Sequence, residues 1–208
     1  MTELPRLYAI ADRAALDARG MSVGEFAREM AQAGVGVLQY RDKVGSPNEV
    51  LRAAKEIAAE FAGRECLLIM NDRSDLALLA GWGVHVGHED LSPEDARKVL
   101  GVGRVIGVST HTEAQVMEAD AGAADYLAVG PVFATSSKGN AEPVVGLEGV
   151  RRARALTRKP LVAIGGITRG NARSVIEAGA DSLAVIGALL AAGERPGKIA
   201  NDFLEILG

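Results

Sequence analysis

The chain has 208 residues, a length typical of one domain, because domains usually contain ~100–200 residues. Apolar residues make up 48% and charged residues 24% of the sequence, a mixture that is typical of globular proteins and excludes a disordered chain. The net charge of −4 leaves no broad cationic surface for duplex nucleic acid or anionic lipid, so neither is expected as a partner. We therefore predict a single domain over residues 1–208.

The first residues and the single cysteine indicate the compartment. Residues 1–6 lack the basic stretch and apolar run of a secretory signal. The longest nearly uncharged apolar tract, Leu183–Gly193, is shorter than the ~20 residues that cross a bilayer. Cys66 has no partner for an internal disulfide, as is usual in a reducing cytosol. These features predict a cytoplasmic protein without a membrane segment, and they leave the oligomeric state open, a homo-oligomer included.

Short aliphatic runs are the candidates for strands. Continuous apolar runs suit strands that are buried on both faces, as in parallel sheets. Eight such runs give about 26 residues per run, close to the minimum for a strand and a helix joined by short loops. The runs are Leu7–Ile10, Val35–Leu38, Leu67–Met70, Val84–Val86, Val105–Val108, Tyr126–Val129, Leu161–Ile164 and Leu183–Ile186.

Amphipathic helical stretches lie between these runs. In Ser46–Phe61, apolar residues recur at spacings of three and four, with Lys and Glu on the opposite side. Ser46 and Pro47 suit the cap and the first turn of that helix. Alternation of strand and helix predicts a parallel sheet. Eight repeats without a second composition zone favour a single-domain (β/α)8 TIM barrel of the α/β class, with a doubly wound sheet as the alternative.

Two acidic residues follow the third and fourth runs, at the strand ends where an eight-fold barrel carries its chemistry. Asp72 and Asp90 would project from adjacent strand ends toward one rim. Two carboxylates together with phosphate oxygens are a usual way of holding Mg²⁺. In the alternative interpretation, Asp72 caps a helix that begins near Arg73, and Asp90 caps one near Pro93.

Positive charges follow the second run. Alternation with a period of two places Gln39, Arg41 and Lys43 on one side if the strand continues that far. Ordinary surface charge is the alternative for the two cations. Together with the two carboxylates, these cations indicate a metal-bound polyphosphate rather than a bare phosphate.

Two later segments suit a phosphate group. Gly165, Gly166 and Gly187 would let backbone N–H groups approach a phosphate closely, although tight turns between strand and helix also need glycine. Thr135–Lys138 places three hydroxyls and one cation within four residues. This segment suits an oxyanion, with a solvated polar loop as the alternative.

The three histidines differ in their expected positions. His85 lies within the fourth run, and its period predicts a hydrogen-bonded residue inside the barrel. His88 lies either at the rim or in a loop, and His111 either contacts a ligand or helps to cap the next helix. The sequence has no three-ligand zinc pattern.

A set of motifs along nearly the whole chain resembles the thiamine-phosphate synthase family. Each motif is weak by itself, but their order and their positions at strand ends make the set highly specific. The motifs are QxRxK at Gln39–Lys43, NDR at Asn71–Arg73, GVHxGxxD at Gly83–Asp90, SxHT at Ser109–Thr112, GPVF-x-T-x-S-K at Gly130–Lys138, GLEG at Gly146–Gly149 and AIGGI at Ala163–Ile167.

The resemblance implies a TIM-barrel transferase that joins a pyrimidine diphosphate to a thiazole phosphate, giving thiamine phosphate and pyrophosphate. It implies that Asp72 and Asp90 hold Mg²⁺. The residues implied for the pyrimidine diphosphate are Gln39, Arg41, Lys43, Asn71, Ser109 and Lys138. Those implied for the thiazole phosphate are Thr135, Ser137, Gly166, Ile186 and Gly187.

Three positions depart from the family pattern: His88 where Gln is common, Ser137 where Thr is common, and Gly187 where Ser is common. Ser137 keeps its hydroxyl. Gly187 lacks a hydroxyl donor but keeps its backbone N–H. The departure at Gly187 therefore bears on the affinity for the thiazole phosphate and not on the fold. Whether His88 changes the metal or pyrimidine contacts stays open.

The chemistry that the resemblance implies is dissociative: pyrophosphate leaves first, and the thiazole nitrogen captures the resulting pyrimidine-methyl cation. Arg41, Lys43 and Lys138 are the implied catalytic cations, because negative charge develops on the leaving group. We expect Asp72→Ala or Lys138→Ala to lower turnover by orders of magnitude and to leave the barrel folded.

Two other functions stay open. The related thiazole tautomerases share the barrel and the phosphate site but isomerise the thiazole ring without a diphosphate substrate, and His111 would then be the candidate general acid or base. The other function is a non-catalytic barrel that only binds a phosphorylated ligand or a partner protein. The combination of Lys43, Lys138, Asp72 and Asp90 favours the synthase, because neither alternative requires a metal and a pyrophosphate clamp.

Overall fold

The computed structural model of the protein describes residues 3–135 and 143–208. Its eight parallel strands pair in chain order, and the last pairs with the first to close a barrel. The predicted (β/α)8 TIM barrel is confirmed, and the doubly wound sheet is wrong. The strands are β1 Leu7–Asp12, β2 Val37–Arg41, β3 Leu67–Asn71, β4 Gly83–Val86, β5 Ile106–Thr110, β6 Tyr126–Val129, β7 Leu161–Ile164 and β8 Ser182–Val185.

Helices surround the barrel, and two of them follow β1 where the repeat predicts one. The predicted helix Ser46–Phe61 is confirmed as α3, which begins at Pro47 after a capping box between Ser46 and Glu49. Within the described part of the chain, none of the helices is long and apolar enough to cross a membrane. The helices are α1 Arg13–Arg19, α2 Val23–Ala33, α3 Pro47–Glu60, α4 Ser74–Ala80, α5 Pro93–Leu100, α6 Glu113–Ala121, α7 Gly146–Leu156, α8 Ala172–Glu177, the 3₁₀ helix Gly187–Leu190 and α9 Pro196–Leu207.

Two apolar clusters form the core, one between the strands and the helices and one inside the barrel. Because each strand is buried on both faces, its sequence is a continuous apolar run and not an alternating one. The interior cluster contains Tyr8 and Tyr126, whose rings lie edge to face with centroids 6.0 Å apart. Gly107 makes room for one of these rings, since a Cβ atom there would lie 2.0 Å from Cζ of Tyr126.

The strands extend further toward their carboxyl ends than the apolar runs do. The run Val35–Leu38 predicts β2 two residues too early, and the strand continues to Arg41. In the same way β3 includes Asn71, and β5 includes Ser109 and Thr110. Several polar candidates are therefore fixed by sheet hydrogen bonds and do not lie in loops.

Candidate active site

The predicted carboxylates and cations converge at the carboxyl ends of β2, β3 and β4. Lys43 forms an ion pair with the carboxylate of Asp72. Burial raises the pKa of Asp72 above its ordinary value, and so does the neighbouring carboxyl of Asp90, which interacts with it directly; the Lys43 ammonium opposes this rise. Two carboxyl groups and one cation thus lie together on one rim of the barrel.

Neither aspartate acts as a helix cap. The residue that precedes α4 is Arg73, which makes no capping hydrogen bond with its side chain, and α5 is capped by Ser92. Asp90 instead accepts a hydrogen bond of 2.8 Å from the backbone N–H of Gly87. Asp72 has φ of 60°, a left-handed conformation that is uncommon outside glycine and frequently occurs at functional sites. The capping interpretation is therefore wrong for both residues.

Arg41 is held by an acidic residue that the sequence analysis missed. Its guanidinium pairs with the carboxylate of Asp12, the last residue of β1. Asp12 is only 5% exposed and also accepts a hydrogen bond of 2.9 Å from the N–H of Ala15, which caps α1. Arg41 is thus a half-buried, oriented cation and not ordinary surface charge. A polar residue at a strand end was the signal that could have identified Asp12.

The pair of carboxylates suits a hard divalent cation. Two neighbouring carboxylates repel each other and gain stability when a cation lies between them, and Mg²⁺ prefers oxygen ligands. Within residues 3–135 and 143–208, there is no cluster of three or more His, Cys, Asp or Glu side chains that could hold a metal ion. Asp72 and Asp90 would therefore be two ligands of such a metal, which leaves further positions for the oxygens of water or a substrate.

A cavity of about 470 Å³ opens at the carboxyl ends of β5 to β8. This volume lies within the range of small-molecule sites. Five of the predicted substrate residues line it: Ser109, Thr135, Gly166, Ile186 and Gly187. The candidate site therefore has two adjacent halves, an acidic and cationic rim over β2 to β4 and a cavity over β5 to β8.

The glycines after β7 shape the wall of this cavity. Gly165 and Gly166 have φ of 102° and 63°, which residues with a Cβ atom rarely adopt. A Cβ atom on Gly166 would also lie 2.6 Å from the carbonyl oxygen of Ala134. The segment 131–135 packs directly on these glycines, with Phe133 N–H donating to the Gly165 carbonyl at 3.0 Å. The glycines thus form a tight turn and, by the same contact, bring Thr135 to the cavity.

The remaining candidates of the pyrimidine side lie at the ends of β2, β3 and β5. Gln39 is 3% exposed, and its Nε2 donates to the hydroxyl of Tyr8 at 2.8 Å. Asn71 is half-buried and pairs in register with His85 of β4. Ser109 Oγ lies 2.9 Å from Nε2 of His85, inside the barrel, so the predicted interior position of His85 is confirmed.

The other two histidines lie near each other above the barrel. The ring centroids of His88 and His111 are 6.2 Å apart. His111 lines the cavity, and its Nδ1 donates to the carbonyl oxygen of Gly130 at 2.6 Å. Thr112 supplies the cap of α6, so the His111 side chain is not the cap. Two further candidates, Ser137 and Lys138, lie outside the described residues.

Comparison with known proteins decides the family. Residues 7–189 match the family model of thiamine monophosphate synthase, which is nearly the whole barrel. The chain belongs to this family. The predicted resemblance is thereby confirmed, as is the prediction of an enzyme, a transferase that makes thiamine phosphate in thiamine biosynthesis.

Individual relatives agree with the family match. A thiamine-phosphate synthase of Koribacter versatilis is 52% identical over 208 residues, covering 99% of this chain and 97% of the relative. A thiamine-phosphate synthase of Methanoregula boonei is 43% identical, covering 88% of this chain and 85% of the relative. Among solved structures, the thiamine phosphate pyrophosphorylase of Pyrococcus furiosus is 33% identical, with a TM-score of 0.87 over 97% of this chain and 95% of that one.

Proposed function

We propose that this site couples 4-amino-2-methyl-5-(diphosphooxymethyl)pyrimidine to a thiazole phosphate by a Mg²⁺-assisted dissociative substitution. The observation that carries the proposal is the adjacency of the two halves. The ion-paired cluster of Lys43, Asp72 and Asp90 suits a metal-bound diphosphate, and the neighbouring 470 Å³ cavity suits a second substrate. Ser109 belongs to both halves, because it lines the cavity and is hydrogen-bonded to His85 of β4.

Asp72 and Asp90 are proposed to hold Mg²⁺ at the leaving group. When bound, the ion would neutralise the negative charge that develops on pyrophosphate. Arg41 and Lys43 add positive charge at the same rim, and Lys138 is proposed to join them on the ground of its motif alone. Asp12 keeps the Arg41 guanidinium oriented, so little reorganisation is needed when the leaving group departs.

The organic parts of the substrates are proposed to meet over the centre of the barrel. Gln39, Asn71 and Ser109 would hold the pyrimidine ring. Thr135, Ser137, Gly166, Ile186 and Gly187 would hold the thiazole phosphate. Because the reaction needs a correctly placed second substrate and not a protein nucleophile, positioning of the substrates is the main contribution of the chain.

The acidic and cationic cluster favours this synthase reaction over the two alternatives. A thiazole tautomerase has no diphosphate to hold, so an Asp72–Asp90 pair next to Lys43 would have no function there. The same cluster has no evident use in a barrel that only binds a phosphorylated ligand. We also propose that the reaction takes place in the cytoplasm, in a single catalytic domain over residues 1–208 that acts on small molecules and not on nucleic acid.

Release of pyrophosphate on mixing the two phosphorylated substrates, with and without Mg²⁺, tests the proposal. We expect release only with Mg²⁺, and we expect Asp72→Ala to lower turnover by a factor of roughly 10² or more, since a catalytic charge interaction is lost. Calorimetric binding of Mg²⁺-pyrophosphate, which needs no turnover, should weaken in parallel.

Asp17→Ala is the matched control, because Asp17 is an exposed aspartate in a surface pair with Arg13. It should leave both measurements unchanged. Metal-independent turnover would contradict the proposal, and so would near-wild-type turnover in Asp72→Ala.

A further inference from the structure

A chain of hydrogen-bonded side chains crosses the interior of the barrel beneath the candidate site. It runs from Gln39 Nε2 to the Tyr8 hydroxyl at 2.8 Å, and from there to the Tyr126 hydroxyl at 2.8 Å. It continues to Nδ1 of His85 at 2.9 Å, and from Nε2 of His85 to Oγ of Ser109 at 2.9 Å. Its two ends are residues that the proposed function places against the pyrimidine ring.

With a neutral His85 and an acceptor for each tyrosine proton, the chain can be ordered in only two ways, because each hydroxyl has one proton to donate and the imidazole has one donor and one acceptor. In the structure, Gln39 turns its NH₂ group toward Tyr8, and the proton of the Tyr8 hydroxyl then has the Tyr126 oxygen as its acceptor. Tyr126 then donates to Nδ1 of His85, and the imidazole donates through Nε2 to Ser109. The proton of the Ser109 hydroxyl is left to point away from His85.

The opposite order requires the Gln39 amide to be turned over. Tyr8 would then donate to the amide oxygen, every later hydrogen bond would reverse, and Ser109 would donate to His85. A doubly protonated His85 fits only a reversed order, because both of its nitrogens donate, so that Ser109 accepts and Tyr126 must donate to Tyr8. Burial opposes the loss of a proton from the tyrosines, since it raises the pKa of both hydroxyls above the ordinary value.

Each order presents a different pair of hydrogen-bonding groups to a substrate ring that contacts Gln39 and Ser109. In the order of the structure, Gln39 offers its amide oxygen, which accepts no hydrogen bond from the described residues, and Ser109 offers a hydroxyl proton. That pair complements an amino group next to an unprotonated ring nitrogen. In the reverse order, Gln39 offers N–H and Ser109 offers an oxygen, which complements a carbonyl next to a ring N–H.

We propose that the buried chain Tyr8–Tyr126–His85 fixes the direction of the hydrogen bonds made by Gln39 and Ser109, so that the site accepts a 4-aminopyrimidine and rejects its 4-oxo counterpart. The proposal rests on the proposed function, which supplies the pyrimidine. Tyr8, Tyr126 and His85 are positioning residues in it, because they act through Gln39 and Ser109. Discrimination of this kind is strong, since the wrong ring leaves buried polar groups unpaired.

Binding of two unreactive ligands tests the proposal without relying on ring reactivity. The dissociation constants of 4-amino-2-methyl-5-hydroxymethylpyrimidine and its 4-oxo analogue are measured with saturating Mg²⁺-pyrophosphate. The wild type should prefer the amino compound by at least about tenfold. Tyr126→Phe removes the donor to His85 Nδ1, so neither order of hydrogen bonds is enforced any longer. The preference of this variant for the amino compound should therefore fall by roughly tenfold.

Tyr40→Phe is the matched control, because Tyr40 is a buried tyrosine of β2 whose hydroxyl contacts Asp42 and not the chain. It should keep the wild-type preference. An equal preference in Tyr126→Phe and the wild type would overturn the proposal. Failure of the wild type to turn over the amino substrate would instead overturn the proposed function.

The ring of His85 gives a second readout that does not depend on the stability of any variant. The sequence has three histidines, so ¹⁵N-labelled protein gives few imidazole signals to assign. We expect the shifts of neutral His85 with its proton on Nε2. A proton on Nδ1, or on both nitrogens, would contradict the order and overturn the proposal.

Discussion

Gly107 illustrates how a single residue determines what the barrel can contain. Strand β5 passes so close to the Tyr126 ring that a Cβ atom at position 107 would lie 2.0 Å from Cζ and 2.4 Å from the hydroxyl oxygen. The backbone of Gly107 does not need a left-handed conformation, so the requirement for glycine comes from packing alone. The large aromatic ring on β6 therefore fits inside the barrel only because β5 has no side chain at position 107.

We expect Gly107→Ala to lower the free energy of unfolding by roughly 1–3 kcal/mol, because overpacking a filled core forces the ring or the strand to move. Urea denaturation measures this change. Gly24→Ala is the control, since a Cβ atom at that position in α2 would meet only Glu56 Oε2 at 3.8 Å. A Gly107→Ala protein as stable as the wild type would contradict the packing argument.

The sequence predicted the order of elements well because burial of both strand faces leaves a strong apolar pattern. It predicted the strand ends less well, since Gln39 and Arg41 are polar and yet belong to β2. A polar side chain inside a barrel is stable there because other side chains pair with it: Tyr8 accepts from Gln39, and Asp12 binds Arg41. Such partners come from another strand, and no local pattern reveals them.

The candidate site was predictable to a similar degree. Asp72 and Asp90 could be predicted from their positions after two apolar runs, because parallel strands bring their carboxyl ends to one edge of the sheet. The chain through Tyr8 and Tyr126 was missed, since each tyrosine resembles an ordinary apolar residue within its run. Only the closed barrel brings these two residues, 118 positions apart, to within one hydrogen bond.

Two strand–helix units repeat the same clamp at the amino-terminal end of the barrel. Asp125, before β6, accepts from Arg97 of α5 and from the N–H of Ile106, both at 2.7 Å. Asp181, before β8, accepts in the same way from Arg154 of α7 at 2.7 Å and from the N–H of Leu161 at 2.8 Å. Each clamp fixes a helix to the strand that follows it, far from the carboxyl ends.

We expect Asp125→Asn to lower the free energy of unfolding by about 1 kcal/mol, because a partly exposed, charge-assisted hydrogen bond is weakened. Urea denaturation checks this, and turnover should not change. Asp17→Asn, in the exposed pair with Arg13, should stay within about 0.5 kcal/mol of the wild type. Equal stability of Asp125→Asn and Asp17→Asn would contradict a structural role of the clamp.

At the scale of the whole molecule, the two halves of the site depend on different parts of the barrel. The acidic and cationic half lies over β2 to β4, next to Asp12 at the end of β1, and Asp12 and Lys43 each bind a charged neighbour. The cavity half depends on the loops after β7 and β8, and an ion-pair network joins these loops. Arg169 binds Glu194 with N–O distances of 2.6 and 2.9 Å, and it also pairs with Asp202 of α9.

This division predicts that a mutation in one half changes the KM of one substrate and leaves the KM of the other nearly unchanged. The Arg169 hydrogen bond lowers the pKa of the Glu194 carboxyl, so the pair is charged at neutral pH. Because Arg169→Ala removes the connection between the loops that carry Gly166 and Gly187, it should raise the KM for the thiazole phosphate by roughly three- to tenfold. The KM for the pyrimidine diphosphate should change little, since its proposed contacts Gln39, Arg41, Lys43 and Asn71 lie on or after β2 and β3, across the barrel from Arg169. Steady-state kinetics with each substrate varied in turn measures both values, with Arg13→Ala as an exposed control; an equal rise in the two KM values would mean that the halves are not independent.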